Sequence, residues 1–270
     1  MKKDFVTLSN GEKLSYHKQG EGKKTVILLS GLGAPMPLAD MYSIFQELSK
    51  HCQTIVLNRF GYSYSDITKR DRTLATVVKE IKEFCDILGI KENVYLVGHS
   101  LGSFNALGFA EEYPKMVDGV VLLDCYPLPL RTTWYVLNIV FGYGVIVAKK
   151  LGILEKTSAF SSYIKILEKE KVPENIIAET IKLCAKNGYN NNVMEELKSS
   201  RNDVLTVTKN LKKISTLKVL SICRKVSSYY SKKIKRLIPE IIIHNVGVSS
   251  HMIHHDHEKI VIKDIVDFIK

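Results

Sequence analysis

Residues 94–102 read Val-Tyr-Leu-Val-Gly-His-Ser-Leu-Gly, and this stretch decides the fold class. Its apolar first part predicts a short strand that is buried on both faces, and the residues after it have the length of a helix. The Gly-x-Ser-x-Gly pattern between the two is typical of a nucleophile elbow. The sharp turn brings the residues two before and two after the serine together, so both must be small, as Gly98 and Gly102 are. Ser100 is therefore the candidate nucleophile, and the amide of Leu101 is placed to bind a developing oxyanion.

Similar apolar runs recur along the chain, separated in the first half by stretches of helical length. The other runs are Thr25–Leu29, Thr54–Leu57, Val120–Leu123, Val219–Cys223 and Ile241–His244. Alternating strands and helices are typical of a mainly parallel sheet. An antiparallel hairpin precedes them, because Asn10-Gly11 suits a tight turn. We expect an α/β fold with a mainly parallel sheet flanked by helices.

The alternation stops between about Leu128 and Asn210, where the sequence is helix-like and contains no strand run. We therefore expect an α/β core of residues 1–127 and 211–270, with a helical cap or lid of residues 128–210. Residues 134–148 carry no charge over fifteen positions, but a helix that spans a membrane needs about 20 apolar residues. A lid that lines a pocket is favoured over stable membrane insertion. Trp134 is the candidate contact for substrate.

Charge is distributed unevenly along the chain. The 270 residues include 39 basic and 28 acidic ones, which gives a net charge of +11. Residues 204–239 contain ten of the basic residues and no acidic one. Such a stripe can attract anionic ligands, although a solvated lysine-rich surface is the commoner case. No aromatic pattern of a nucleic-acid module accompanies it, so we expect no nucleic-acid partner.

The five cysteines are odd in number, widely spaced and without a CxxC pair. They indicate neither a disulfide framework nor a zinc knuckle. Residues 1–5 lead directly into strand-like sequence without an apolar signal region. We expect reduced thiols and a cytoplasmic location. No motif for a cofactor is present, and the oligomeric state stays open.

Three further motifs carry a family resemblance. They are Ser30-Gly31-Leu32-Gly33, Asn58-Arg59-Phe60-Gly61-Tyr62-Ser63 and the helix-to-strand link from Tyr113 to Asp124. Together with the elbow, they resemble the α/β-hydrolase family over nearly all of the chain outside the insertion. The resemblance implies that the amides of Leu32 and Leu101 form an oxyanion hole, with Ser30 where the family usually has histidine.

The family places a histidine in the loop before the C-terminal helix. His251 is the best match in the stretch from His251 to Ile260, although the usual glycine and proline are missing and the loop is about one residue short. Four histidines within seven residues could instead bind a metal ion, but no second group of ligands is evident in the sequence. We expect no metal site, and we expect His254, His255 and His257 to lie on the surface or face the lid.

The acidic partner of the histidine is harder to assign. Most of the family has it after the strand that precedes the histidine strand, and here Arg224-Lys225-Val226-Ser227-Ser228 follows that strand, with no carboxylate before Glu240. A minority, which includes haloalkane dehalogenases, has the acid one strand earlier, where Asp124 stands. An aspartate is also common there in members whose acid lies elsewhere. Asp124 is favoured, and Glu240 is the weaker alternative.

A serine, a histidine and two amide donors imply acyl transfer to water. The expected function is hydrolysis of an ester or thioester of a small or acyl-chain substrate through an acyl-enzyme on Ser100. Dehalogenation is disfavoured because it needs an aspartate where Ser100 stands. The alternative is a catalytically silent ligand-binding protein, which the unusual acid position, Ser30 and the altered histidine loop favour.

Overall fold

The computed structural model describes residues 2–125 and 132–270. Its centre is a sheet with the order β1-β2-β4-β3-β5-β6-β7-β8. The strands are β1 (Asp4–Thr7), β2 (Lys13–Gln19), β3 (Thr25–Leu29), β4 (Gln53–Leu57), β5 (Val94–His99), β6 (Val117–Leu123), β7 (Lys218–Cys223) and β8 (Ile242–Asn245). The β1–β2 and β2–β4 pairs are antiparallel, and the other pairs are parallel. The predicted mainly parallel α/β sheet with an N-terminal hairpin is confirmed.

Helices cover both faces of the sheet. They are α1 (Pro37–Asp40), α2 (Tyr42–Leu48), α3 (Leu74–Ile87), α4 (Leu101–Glu112), α5 (Thr132–Lys150), α6 (Ser158–Lys169), α7 (Glu174–Asn187), α8 (Asn191–Asn210), α9 (Ser228–Lys235), α10 (Ile253–Asp256) and α11 (Glu258–Ile269). Within the described ranges, no helix is long and apolar enough to cross a lipid bilayer.

Two apolar layers hold the sheet between the helices. Strand β3 is buried at every position, as expected for a parallel strand covered on both faces. One layer contains Phe84 of α3 and Phe104 of α4. The opposite layer contains Phe45 of α2 and Ile265 of α11. Because helices cover both faces of the sheet, we expect a functional site at the carboxyl ends of the parallel strands.

Helices α5 to α8 lie between β6 and β7 in the chain and contact the rest of the molecule through α8 and α7. Helix α8 packs on α3 and α4, and α7 packs on α1. A buried ion network fixes α8 to the loop after β4. Glu196 of α8 accepts hydrogen bonds from Arg59 at 3.2 Å, Tyr62 at 2.7 Å and Arg72 at 3.3 Å. Burial alone would raise the pKa of Glu196, but Arg59 and Arg72 hold it below its ordinary value.

Candidate active site

Ser100 occupies a strained turn between β5 and α4. Its φ of 51° and ψ of −115° lie outside the regions that ordinary residues prefer. A Cβ atom on Gly102 would lie 2.1 Å from the Leu29 carbonyl oxygen, and one on Gly98 would lie 2.4 Å from the Gly102 carbonyl oxygen. Larger residues at these two positions would therefore push the turn open. The two glycines allow the turn that presents the Ser100 hydroxyl at the carboxyl end of β5.

Three side chains from separate strand ends form a continuous line of hydrogen bonds. His251 Nε2 lies 2.8 Å from Ser100 Oγ, and His251 Nδ1 lies 2.6 Å from Asp124 Oδ2. Because Asp124 is ionised and can only accept, Nδ1–H donates to it. Nε2 then carries the lone pair that accepts the Ser100 hydroxyl proton. The structure thus brings together the three residues that the sequence singled out.

The loop before α10 holds His251 in place through a local turn. Asp256 accepts hydrogen bonds from Ser249 Oγ and from the Ser250 amide, both at 2.8 Å. These bonds tie the loop to α10 on the C-terminal side of His251. The two serines stand where the family commonly has a glycine, and they provide a side-chain bond that glycine could not make.

Asp124 is completely buried at the end of β6. It accepts hydrogen bonds from Arg224 Nε at 2.8 Å, from the Arg224 amide at 3.3 Å and from the Ser227 hydroxyl. Burial alone would raise the pKa of Asp124, but hydrogen bonds from His251 and Ser227 and the charges of His251 and Arg224 hold it below its ordinary value. Asp124 is therefore ionised at neutral pH. The weaker candidate, Glu240, is exposed to solvent just before β8.

A cavity of about 530 Å³ opens beside Ser100 and His251. Leu32 and Leu101 both line it next to Ser100. The Leu101 amide is the first of α4 and so has no acceptor within the helix. The rest of the wall is mainly apolar and includes Phe104, Tyr135, Phe141, Leu154, Phe160 and Leu197. The volume is typical of a site for a small molecule.

Comparison with known proteins agrees with the fold described above. The family model described as "alpha/beta hydrolase fold" matches residues 24–144, which include the elbow. The chain has the α/β-hydrolase fold. In a structural comparison, the enol-lactonase from Burkholderia xenovorans LB400 aligns with a TM-score of 0.75 at 17% identity, over 98% of this chain and 99% of that one.

Curated relatives match the α/β-hydrolase-fold chain over about half of its length. The cis-3-alkyl-4-alkyloxetan-2-one decarboxylase of Shewanella oneidensis is 30% identical over 52% of this chain and 46% of its own. A 2-hydroxy-6-oxononadienedioate/2-hydroxy-6-oxononatrienedioate hydrolase of Paraburkholderia xenovorans is 30% identical over 44% of this chain and 43% of its own. The matched region thus spans less than half of the length of either relative.

The prediction for Trp134 needs correction. It is not among the residues that line the cavity, whereas Asn138 and Phe141 of the same helix are. Residues four and seven positions apart share one face of a helix, so Trp134 points to the same side as these two residues. It differs from them in lying in the first turn of α5. The expected boundary between residues 127 and 128 falls outside the described residues.

The prediction for His254 and His255 left two positions open, the surface or the face of the lid, and the structure excludes the surface. They are only 3% and 8% exposed, because α10 packs them against residues from distant parts of the chain. His255 faces Glu170 in the predicted lid. His255 Nδ1 contacts Glu170 of α6, and His255 Nε2 lies 3.5 Å from Asp40 of α1. His257 is half-buried.

Sequence reasoning missed the contact between Arg224 and Asp124. The sequence assigns Arg224 to the basic stripe and to the segment that lacks the usual acid, but its side chain is 18% exposed and its guanidinium donates to Asp124. A signal was available, because Arg224 and Asp124 each follow a strand. The carboxyl ends of β6 and β7, which are neighbours in the sheet, bring the residues that follow them together.

Proposed function

We propose that this chain is a serine hydrolase that cleaves an ester or thioester through an acyl-enzyme on Ser100. The observation that carries the proposal is the line of hydrogen bonds from Ser100 through His251 to Asp124, at one end of a cavity with apolar walls. A serine polarised by a neutral imidazole is the arrangement that acyl transfer requires.

In the proposed reaction, Ser100 Oγ attacks the carbonyl carbon while His251 Nε2 takes the hydroxyl proton. The amides of Leu32 and Leu101 stabilise the oxyanion. His251 returns the proton to the leaving alcohol or thiol as the bond from the carbonyl carbon breaks. Water then attacks the acyl-enzyme, with His251 as base, and releases the carboxylic acid and Ser100. Asp124 holds the His251 tautomer and stabilises the imidazolium.

The substrate class follows from the cavity wall. Its largely aromatic and aliphatic lining favours an acyl chain or another uncharged group over a sugar or nucleotide. We propose that residues 128–210 act as a cap, because α5, α6 and α8 supply Tyr135, Phe160 and Leu197 to this wall. An alkyl-substituted lactone is named for the Shewanella relative, and a cyclic ester is compatible with the proposed reaction.

The location is part of the same proposal. All five cysteines lie in the described residues, and none of them forms a disulfide, which favours a reducing compartment such as the cytoplasm. Four of the five are buried. The proposed partner is the small-molecule substrate alone, with neither nucleic acid nor stable membrane insertion.

A panel of p-nitrophenyl esters and acyl thioesters of increasing chain length tests the function. We expect saturable hydrolysis by the wild-type chain. The turnover of Ser100→Ala should be lower by several orders of magnitude, because removal of one catalytic residue from a hydrogen-bonded set commonly has that effect. Ser162→Ala, at an exposed position of α6, is the matched control and should keep wild-type rates. Equal activity of wild type and Ser100→Ala would contradict the proposal and favour a silent ligand-binding protein.

A further inference from the structure

A second group of polar side chains lies beside Ser100 and takes no part in the proposed reaction. Asp40 ends α1, His99 ends β5 and His254 belongs to α10. Each is only 3% exposed. One donor atom from each lies within 4.8 Å of the other two. Three distant segments therefore meet at one buried point.

These imidazoles have unused hydrogen-bonding capacity. Among the described residues, neither ring nitrogen of His254 has a hydrogen-bond partner, and nor does Nδ1 of His99. His254 Nε2 lies 3.9 Å from Asp40 Oδ2, which is too long for a hydrogen bond. Buried polar atoms normally have partners. One ring nitrogen of His99 and one of His254, together with the buried Asp40 carboxylate, therefore point to a ligand shared by these three residues.

The surroundings orient these donors. His99 Nε2 lies 3.1 Å from the His251 carbonyl oxygen, which can only accept, so the proton is on Nε2 and the lone pair on Nδ1. His255 lies between Asp40 and Glu170, with His255 Nε2 3.5 Å from Asp40 Oδ1. Such outer contacts commonly fix the ligands of a metal ion.

We propose that Asp40, His99 and His254 bind one divalent ion of the first transition series, with zinc as the representative. Two imidazoles and a carboxylate are a known ligand set for such ions. Ligands at about 2.0–2.1 Å from a tetrahedral zinc ion lie roughly 3.3 Å apart. Binding would therefore draw the donor atoms together from 3.9 Å for Asp40 and His254 and from at most 4.8 Å for the other pairs.

The fourth position of the ion faces the cavity. Asp40 and His99 both line that cavity beside Ser100. A water molecule or an oxygen atom of a ligand in the cavity would complete the coordination. The site therefore binds oxygen donors, such as a carboxylate group, at the end of the cavity next to Ser100. This inference does not depend on the hydrolase proposal, because binding of the metal alone tests it.

The test is titration of the metal-free, untagged full chain with Zn²⁺ by calorimetry and with Co²⁺ by visible absorption. We expect one equivalent to bind, with Co²⁺ bands typical of a low-coordinate site with imidazole ligands. Asp40→Asn and His254→Gln should each weaken the binding by more than about tenfold, the scale expected even for contacts that only orient ligands.

A matched variant separates this site from surface histidines. His244 pairs with Asp264 at a partly exposed position, so His244→Gln should leave the affinity and the Co²⁺ spectrum unchanged. Circular dichroism establishes that each variant is folded, and the Asp40→Asn result stands if His254→Gln does not fold. No saturable binding by the wild-type chain, or equal binding by a folded Asp40→Asn chain, would overturn the proposal.

Discussion

The ends of strands β6 and β7 lie side by side in the sheet, yet they carry opposite charges. Asp124 follows β6 and is fully buried, whereas Arg224 follows β7 and is partly exposed. The resemblance leads one to expect the acid after β7. Here the cation stands at that position and donates to the acid on the neighbouring strand. Since both strand ends meet at one place, we expect that a carboxylate at either end could serve His251.

The largest expected effect is that of Asp124→Asn. The amide keeps the shape but cannot stabilise the imidazolium, and it can reverse the His251 tautomer. We expect kcat to fall by roughly 10⁴-fold, as measured by ester hydrolysis with the fold followed by circular dichroism. A decrease in kcat of less than tenfold in a folded Asp124→Asn chain would show that Asp124 does not have the proposed role.

A carboxylate placed after β7 tests whether that strand end can also serve His251. In the Asp124→Asn background, Arg224→Asp places an acid where most of the family has it. We expect recovery of about tenfold or more over Asp124→Asn alone, because a charged hydrogen bond to His251 is worth about 1.5–3 kcal/mol. Arg224→Asn in the same background is the matched control. Equal rates for the two double variants would show that the end of β7 cannot serve His251.

Arg224→Met removes the cation and keeps Asp124. Burial raises the pKa of Asp124, and the charge of Arg224 is among the causes that lower it. Stability from a depressed carboxyl pKa is present above the unfolded-state value and is lost as pH falls through the folded-state value. Without Arg224 the folded-state pKa rises, so acid unfolding should begin at a higher pH. Urea unfolding at a series of pH values measures this shift. Superimposable profiles would show that Arg224 does not act on Asp124.

The smallest effect concerns a residue far from both strand ends. Phe141 lines the cavity, so Phe141→Ala should change the preferred acyl-chain length, with rate ratios shifting a few-fold for each chain length affected. Trp134→Ala is the control on the same helix, because Trp134 does not line the cavity. The ester panel measures both variants. A larger shift for Trp134→Ala would contradict the position of α5.

The sequence was sufficient where local sterics decide the structure. Gly98, Ser100 and Gly102 can be read as an elbow because the turn needs small residues at that spacing. The assignment of Asp124 came instead from the resemblance to a minority of the α/β-hydrolase family, and the structure places Asp124 Oδ2 2.6 Å from His251 Nδ1.

The sequence was insufficient where the packing of distant segments decides. Helix α5 is apolar on all sides, so no periodicity distinguishes Trp134, which does not line the cavity, from Phe141, which does. The burial of His254 and His255 depends on Asp40 and Glu170, which are far away in the chain. The proposed metal site of Asp40, His99 and His254 could not be recognised for the same reason, because its three residues are far apart in the chain.

Covalent labelling of Ser100 by a fluorophosphonate tests the central claim most directly. Ser100 Oγ attacks phosphorus, fluoride leaves and one phosphonyl group is added to the chain. We expect intact-mass spectrometry to find a single addition on the wild-type chain, peptide mapping to place it on Ser100, and Ser100→Ala to stay unmodified. A known serine hydrolase, labelled in parallel, serves as the positive control. The account would be contradicted if the wild-type chain stayed unlabelled while the control reacted, or if the label persisted in Ser100→Ala.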